Sequence, residues 1–106
     1  MKIKKAHAVY TGGNIWLFYG KLKDGNYFLT DDNGCTLILD KNPKNLDKST
    51  YEDWQMKHLV KELYHKERIN FCMKLLDYLE AHPDDCGGMS EYEIDVYRKW
   101  FLSDAY

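Results

Sequence analysis

The chain has 106 residues, a formal net charge of −2 at pH 7, and a hydrophobic content of 44%. This length and composition predict one folded domain over residues 1–106 rather than a disordered segment or several domains. No apolar run approaches the about 18 residues that a membrane-spanning helix needs, so no membrane association is expected. The three cysteines are an odd number and no signal peptide is evident, which together predict reduced thiols and a cytoplasmic location.

Charge is unevenly distributed along the chain. Residues 1–30 contain five lysines and one aspartate, whereas residues 75–106 contain eight acidic and two basic residues. The N-terminal part is therefore basic and the C-terminal part acidic. The acidic excess is most simply explained by solubility, although it also offers a surface for a basic partner.

Residues 1–40 predict a four-stranded antiparallel β-meander. Short apolar stretches, the densest of them within residues 14–22, are separated by turn signals that contain glycine. Glycine adopts positive φ without strain, which favours two-residue hairpin loops. The turn signals are Gly12-Gly13, Asp24-Gly25 and Asn33-Gly34.

Two-residue loops would assign every strand residue to one of two sheet faces, because directly opposed residues share a face. One face is mostly small or aliphatic and is predicted to form the core; it includes Leu17, Phe28 and Leu37. The other face carries large aromatic side chains beside two polar ones; it includes Lys5, His7, Trp16, Phe18 and Tyr27. One extra residue in any loop would exchange the two faces in the strands that follow.

Residues 49–103 are predicted to be helical. Ser49 and Ser90 each begin a capping box, which marks a helix start. Apolar stripes predict helices at residues 50–64 and 66–81, or one bent helix through both ranges. The last helix is predicted to turn four residues inward: Ile94, Tyr97, Trp100 and Phe101. The sequence therefore predicts an α+β fold in which two or three C-terminal helices pack on one face of the sheet.

No residue set in the sequence supports catalysis or metal binding. The grouping of His82, Asp84, Asp85 and Cys86 has no recognised ligand spacing and is better explained as a hydrated turn. No serine lies in a nucleophile motif, and no glycine-rich phosphate-binding loop is present. We therefore predict a protein that is not an enzyme and has no metal or other cofactor.

The aromatic content is the most informative feature of the composition. The chain contains nine tyrosines, three tryptophans and four phenylalanines, more than its core requires. Tyrosine and tryptophan are enriched at interaction surfaces. These residues predict a small protein-interaction module, an adaptor or an inhibitor, that binds a protein partner. The expected surface is the acidic last helix or the aromatic sheet face, with Trp16, Phe18, Tyr27, His7 and Lys5.

Two alternatives remain open for this aromatic face. In one, it binds single-stranded nucleic acid, with rings stacking on bases between the lysines at positions 2, 4, 5, 21 and 23. The negative net charge and the presence of only two arginines count against this function. In the other alternative, the last helix covers Trp16, Phe18 and Tyr27, which are then core residues.

Part of the chain resembles a group of known proteins. The segment from Asn14 to Asp40, with Tyr51-Glu52-Asp53-Trp54-Gln55 and His58-Leu59-Val60, is similar to small uncharacterised proteins carried on bacterial phages and conjugative elements. The resemblance covers about half of the chain and includes no catalytic motif. It implies a bacterial mobile element as the setting, where accessory proteins often bind and inhibit host or rival machinery. It assigns a role to no individual residue.

Overall fold

The computed structural model describes residues 1–13, 15–44 and 51–103. They form a five-stranded antiparallel sheet, whose strand order follows the chain, and three α-helices. The strands are β1 (Ile3–Tyr10), β2 (Trp16–Leu22), β3 (Tyr27–Thr30), β4 (Thr36–Leu39) and β5 (Leu59–Leu63). The helices are α1 (Tyr51–His58), α2 (His65–Ala81) and α3 (Glu91–Ser103), with a 3₁₀ turn at Pro83–Asp85. The predicted α+β class is confirmed, and the four predicted strands are joined by a fifth.

No helix within the described ranges is long and apolar enough to cross a bilayer.

Each hairpin loop is one residue longer than predicted. Gly25 and Gly34 have φ values of 98° and 84°, and the amide of each donates to the carbonyl three residues earlier. This geometry is typical of a three-residue loop that ends in a left-handed glycine bulge. In the first hairpin, Tyr10 pairs with Trp16 instead of Ile15. A two-residue loop and a three-residue loop both use glycine, so the turn signals alone do not distinguish them.

The longer loops exchange the faces of alternate strands. The residues of β2 and β4 that were predicted to face the helices point to the other side of the sheet, and those predicted to point away face the helices. β3 comes after two such exchanges, so its residues lie on the predicted sides of the sheet. Phe28 stays on the core face and lies opposite Ile38, while Phe18 replaces Leu17 there. The prediction that the helices cover the face of Leu17 and Leu37 is therefore wrong for these two residues.

Helices α2 and α3 cover the core face of the sheet. Phe18 has no exposed surface and contacts the Tyr97 ring edge-on, with ring centroids 5.7 Å apart. Phe28 packs in the same way against Phe71, at 4.9 Å. Such edge-to-face pairs stabilise a core beyond the area they bury.

The opposite face of the sheet is covered only in part. Leu29, Leu37 and Leu39 form a smaller buried cluster, against which Trp54 of α1 packs. Towards β1 and β2 the same face is open, and its side chains there are longer and more polar. The two faces thus have different surroundings, with two helices on one and a single short helix on the other.

Strand β5 replaces the second half of a predicted helix. The stripe that predicted this helix consists of Met56, Leu59, Val60 and Leu63, of which only Leu63 is buried. Residues 59–63 instead pair antiparallel with β4. Without β5, β4 would be an edge strand with unpaired backbone N–H and C=O groups, and pairing with β5 satisfies these groups. This pairing lies between distant segments, so the local helical pattern does not indicate it. The predicted cap at Ser49 and Thr50 lies outside the described residues.

The boundaries of the last two helices agree with the sequence. α2 begins at His65, which has a left-handed φ of 49°, so a single bent helix through residues 50–81 is wrong. Before α3, the Ser90 hydroxyl accepts the Glu93 amide at 3.2 Å, and the Glu93 carboxylate accepts the Ser90 amide at 3.2 Å. The predicted capping box is therefore present. Ile94, Tyr97 and Phe101 are buried as predicted, but Trp100 is not.

Candidate functional site

The five residues predicted for partner binding are divided between the two sides of the sheet. Trp16 is 6% exposed and Phe18 has no exposed surface, so both belong to the core beneath α3. The interpretation of these two residues as an open binding face is wrong, because the longer first loop turns them towards the helices. Lys5, His7 and Tyr27 lie together on the other side of the sheet.

A depression of ≈ 370 Å³ lies on that open side, and we call it the sheet-face depression. It is lined by Lys5, His7, Tyr19, Gly20, Lys21, Tyr27, Asn42 and Lys44. Several of its cationic groups already have partners. The Asp85 carboxylate lies 3.6 Å from the Lys5 ammonium and 3.4 Å from the His7 ring nitrogen Nδ1. The Lys21 ammonium lies 5.5 Å from the centre of the Tyr27 ring. The Asp85 carboxylate therefore offsets part of the positive charge that an anionic ligand would need.

A second depression, of ≈ 380 Å³, lies between the β1–β2 hairpin and helix α3, and we call it the α3 groove. It is lined by Tyr10, Trp16, Tyr92, Glu93, Val96, Tyr97 and Trp100. Most of these side chains are aromatic, which distinguishes the groove from the lysine-rich depression on the sheet.

One side of the α3 groove is formed by a stripe of residues on helix α3. Tyr92, Val96 and Trp100 follow one another at intervals of four residues, which places them along one side of a helix. This stripe lies beside the inward stripe of Ile94, Tyr97 and Phe101. Tyr92 is 77% exposed and Trp100 is 55% exposed. Both large rings are therefore presented to solvent instead of filling the core.

The hairpin supplies the other side of the groove and is fixed to the helix. The Trp16 indole N–H donates to Glu93 Oε2 at 3.0 Å, a contact between residues 77 positions apart. The Tyr10 ring lies 5.3 Å from the Trp16 ring, and the Tyr97 ring lies 5.2 Å from the Trp100 ring, both between centroids. These contacts hold the floor and walls of the groove in one arrangement.

The described lining of the α3 groove contains one negative charge and no positive one. Glu93 is the only charged residue among the described residues that line it. Burial, followed by the negative charges of Asp32 and Glu93, raises the pKa of the Tyr97 hydroxyl. On the side of α3 that faces α2, away from this groove, Arg98 is bound by three carboxylates, those of Asp77, Glu80 and Asp95, at 2.7, 2.7 and 3.1 Å. These three acids are thus paired and lie outside the groove lining.

The surroundings of the three cysteines disfavour their thiolate forms. Burial, with a smaller contribution from the hydrogen bond to Glu62, raises the pKa of Cys35 to about 11. Burial raises the pKa of Cys72 to about 11 and also raises the pKa of Cys86. A thiol reacts and binds metal as its thiolate, which is scarce at such pKa values. Within the part of the chain that the structure describes, no three His, Cys, Asp or Glu side chains are grouped to hold a metal ion.

Of the seven described residues that line the α3 groove, six were not selected as site residues from the sequence, and Trp16 was. Tyr10, Tyr92, Glu93 and Val96 were given no binding role, and Tyr97 and Trp100 were predicted to face inward. The spacing of Tyr92, Val96 and Trp100 is a signal for these three, because it forms a second apolar stripe on a helix whose core stripe is already complete.

Comparison of the chain with protein-family models, with curated proteins and with solved structures finds no match in any of the three. A functional assignment therefore depends on the geometry of the α3 groove and the sheet-face depression. The similarity to proteins of phages and conjugative elements stays a prediction.

Proposed function

We propose that the protein is a small non-catalytic interaction module that binds a protein partner through the α3 groove. The observation that supports this most strongly is the exposure of Tyr92 and Trp100, at 77% and 55%, beside a core that is complete without them. Exposed tyrosine and tryptophan side chains are the residues that most often anchor protein interfaces. The module acts as an adaptor or inhibitor in the bacterial cytoplasm, in the setting of a mobile element.

The rigidity of the α3 groove favours this function. Tyr92 and Trp100 lie on a capped helix, and the bond from Trp16 to Glu93 ties that helix to the hairpin. A surface that is ordered before binding loses less conformational entropy when the partner docks. The volume of ≈ 380 Å³ accommodates one or two side chains of a partner. The groove therefore provides an anchoring pocket within a larger interface.

A second candidate function is the binding of single-stranded nucleic acid in the sheet-face depression. Three lysines and two tyrosines line this depression, namely Lys5, Lys21, Lys44, Tyr19 and Tyr27. Phosphates would contact the ammonium groups while bases stack on the rings. We rank this function second because Asp85 offsets the charge of Lys5, and because the chain as a whole is negative.

Capture of the partner from lysate of the source cells tests the two functions. We expect tagged protein to retain one protein in stoichiometric amount after nuclease treatment. The double substitution Tyr92→Ala and Trp100→Ala should weaken this binding by at least about 30-fold, because interface anchors of this type contribute about 2 kcal/mol or more. Val60→Ala is the matched control: Val60 is 53% exposed on β5, at the sheet edge opposite β1, and this variant should bind normally.

Two other results would contradict the proposal. If the double variant retains the same protein as strongly as the unmodified chain, the α3 groove is not the binding site. If nucleic acid alone is recovered, is released at moderate salt and is no longer bound by Lys21→Glu, the sheet-face depression is the functional site.

A further inference from the structure

We infer that the α3 groove receives an arginine side chain from a basic segment of the protein partner. This inference rests on the function proposed above and specifies the chemical group that the groove binds. It depends on three properties of the groove: its aromatic faces, the acceptor capacity that Glu93 retains, and the sign of the charge in its lining.

The aromatic lining suits a cationic group. Tyrosine and tryptophan rings carry negative electrostatic potential on their faces, which attracts a cation placed within about 6 Å of the ring centre. The groove combines three exposed rings, those of Tyr10, Tyr92 and Trp100, with the largely buried rings of Trp16 and Tyr97. A planar guanidinium stacks on such rings and is more weakly hydrated than an ammonium, so arginine enters the groove more readily than lysine.

Glu93 can accept one further hydrogen bond. A carboxylate has about four acceptor positions, two on each oxygen. Glu93 Oε1 already contacts the Ser90 amide and hydroxyl, each at 3.2 Å. Among the described residues, the one hydrogen-bond donor to Glu93 Oε2 is the Trp16 indole N–H, at 3.0 Å. Because a guanidinium has N–H donors around its edge, it can donate to Glu93 Oε2 while its face stacks on a ring.

The charge of the groove lining also favours an arginine. Glu93 is negatively charged and is the one charged residue among the described residues that line the groove. No lysine or arginine is found among the described residues of the groove lining. An acidic surface attracts a basic partner and repels an acidic one. The groove lining is therefore complementary in charge to an arginine side chain.

The inference is tested with two peptides that differ only in charge. The probe is acetyl-Gly-Arg-Gly-Arg-Gly-amide, and its control carries citrulline, a neutral isostere, at both arginine positions. Binding is followed in the NMR spectrum of ¹⁵N-labelled protein through the indole N–H signals of Trp16 and Trp100. We expect the arginine peptide to shift both signals with a Kd on the order of 1 mM. The citrulline peptide should bind at least about fivefold more weakly, since it lacks the cation.

A matched variant separates charge from structure. Glu93→Gln preserves a capping-box side chain and an oxygen acceptor for the Trp16 indole, but removes the negative charge. Its affinity for the arginine peptide should fall but stay above the affinity for the citrulline peptide, because the aromatic rings still attract the cation. Trp100→Leu, which keeps an apolar side chain but removes a ring, should weaken binding of the arginine peptide as well.

Three results would overturn the inference: equal affinity for the two peptides, unchanged affinity in Glu93→Gln, or no shift of either indole signal. In each case, capture of a protein that still requires Tyr92 and Trp100 would leave the proposed function intact and identify the groove as a site for an uncharged group. Loss of that requirement would instead overturn the proposed function itself.

Discussion

Replacement of Phe18 by alanine is expected to lower the free energy of unfolding by about 3 to 5 kcal/mol, the range for truncation of a buried aromatic side chain. Phe18 has no exposed surface, and its ring contacts those of Tyr97 and Phe101, at centroid distances of 5.7 and 6.4 Å. Removing the ring leaves a cavity between β2 and α3 that neither element can close without moving the other. The variant should therefore fail through instability, not through loss of a binding surface.

Urea denaturation followed by circular dichroism measures this effect. Trp100→Ala provides the control, because Trp100 is 55% exposed and its loss should change stability by no more than about 1 kcal/mol. A variant Phe18→Ala with an unchanged unfolding midpoint would contradict the assignment of Phe18 to the core. It would restore the interpretation of Trp16 and Phe18 as an open aromatic face.

Replacement of Gly20 by alanine is expected to destabilise the protein by about 3 kcal/mol or more, at the upper end of the effect of overpacking. A Cβ atom at Gly20 would overlap the Lys5 carbonyl oxygen and lie 2.8 Å from the Ala6 Cα. Both neighbours are backbone atoms of β1, which is paired with β2 at this point. They cannot move away without breaking the pairing that also positions the hairpin side of the α3 groove.

Gly25→Ala is the comparison for this substitution. Gly25 has a φ of 98°, and a Cβ atom added to it would meet no other atom within 4 Å, so alanine there encounters backbone strain but no clash. Its expected cost is about 1 to 2 kcal/mol. Equal stability losses in the two variants, measured by urea denaturation, would show that the close approach of β1 to β2 at Gly20 does not limit the fold.

The parts of the fold that were predicted correctly depend on local patterns. Glycine-containing turns separate the four strands, a capping box at Ser90 begins α3, and an apolar stripe defines α2. Each of these signals extends over a few neighbouring residues. They are sufficient for the α+β class and for most helix boundaries.

The side of the sheet on which each aromatic residue lies could not be predicted in this way. It depends on whether a hairpin loop has two or three residues, and glycine is favourable in both. A difference of one residue moves Trp16 and Phe18 from an open face to the core, while Tyr27 keeps its predicted side. The hypothesis of a binding face was therefore sensitive to a detail that the turn sequences do not encode clearly.

Strand β5 and the α3 groove depend on contacts between distant segments. Residues 59–63 have a helical apolar pattern, yet they pair with β4, 20 to 27 positions earlier in the chain. The groove requires that the first hairpin and the last helix meet, as the bond from Trp16 to Glu93 shows. Local periodicity identifies the stripe of Tyr92, Val96 and Trp100, but only the folded chain shows what lies opposite it.

Site-specific photo-crosslinking tests the role of the α3 groove most directly. The residue p-benzoylphenylalanine would replace Tyr92 in one variant and Val60 in another, and each variant would be irradiated in lysate of the source cells after nuclease treatment. If the α3 groove is the docking surface, p-benzoylphenylalanine at position 92 forms a covalent adduct with one protein, and p-benzoylphenylalanine at position 60 forms none. An adduct from position 60 with none from position 92 would place the partner at the β5 edge and contradict the assignment.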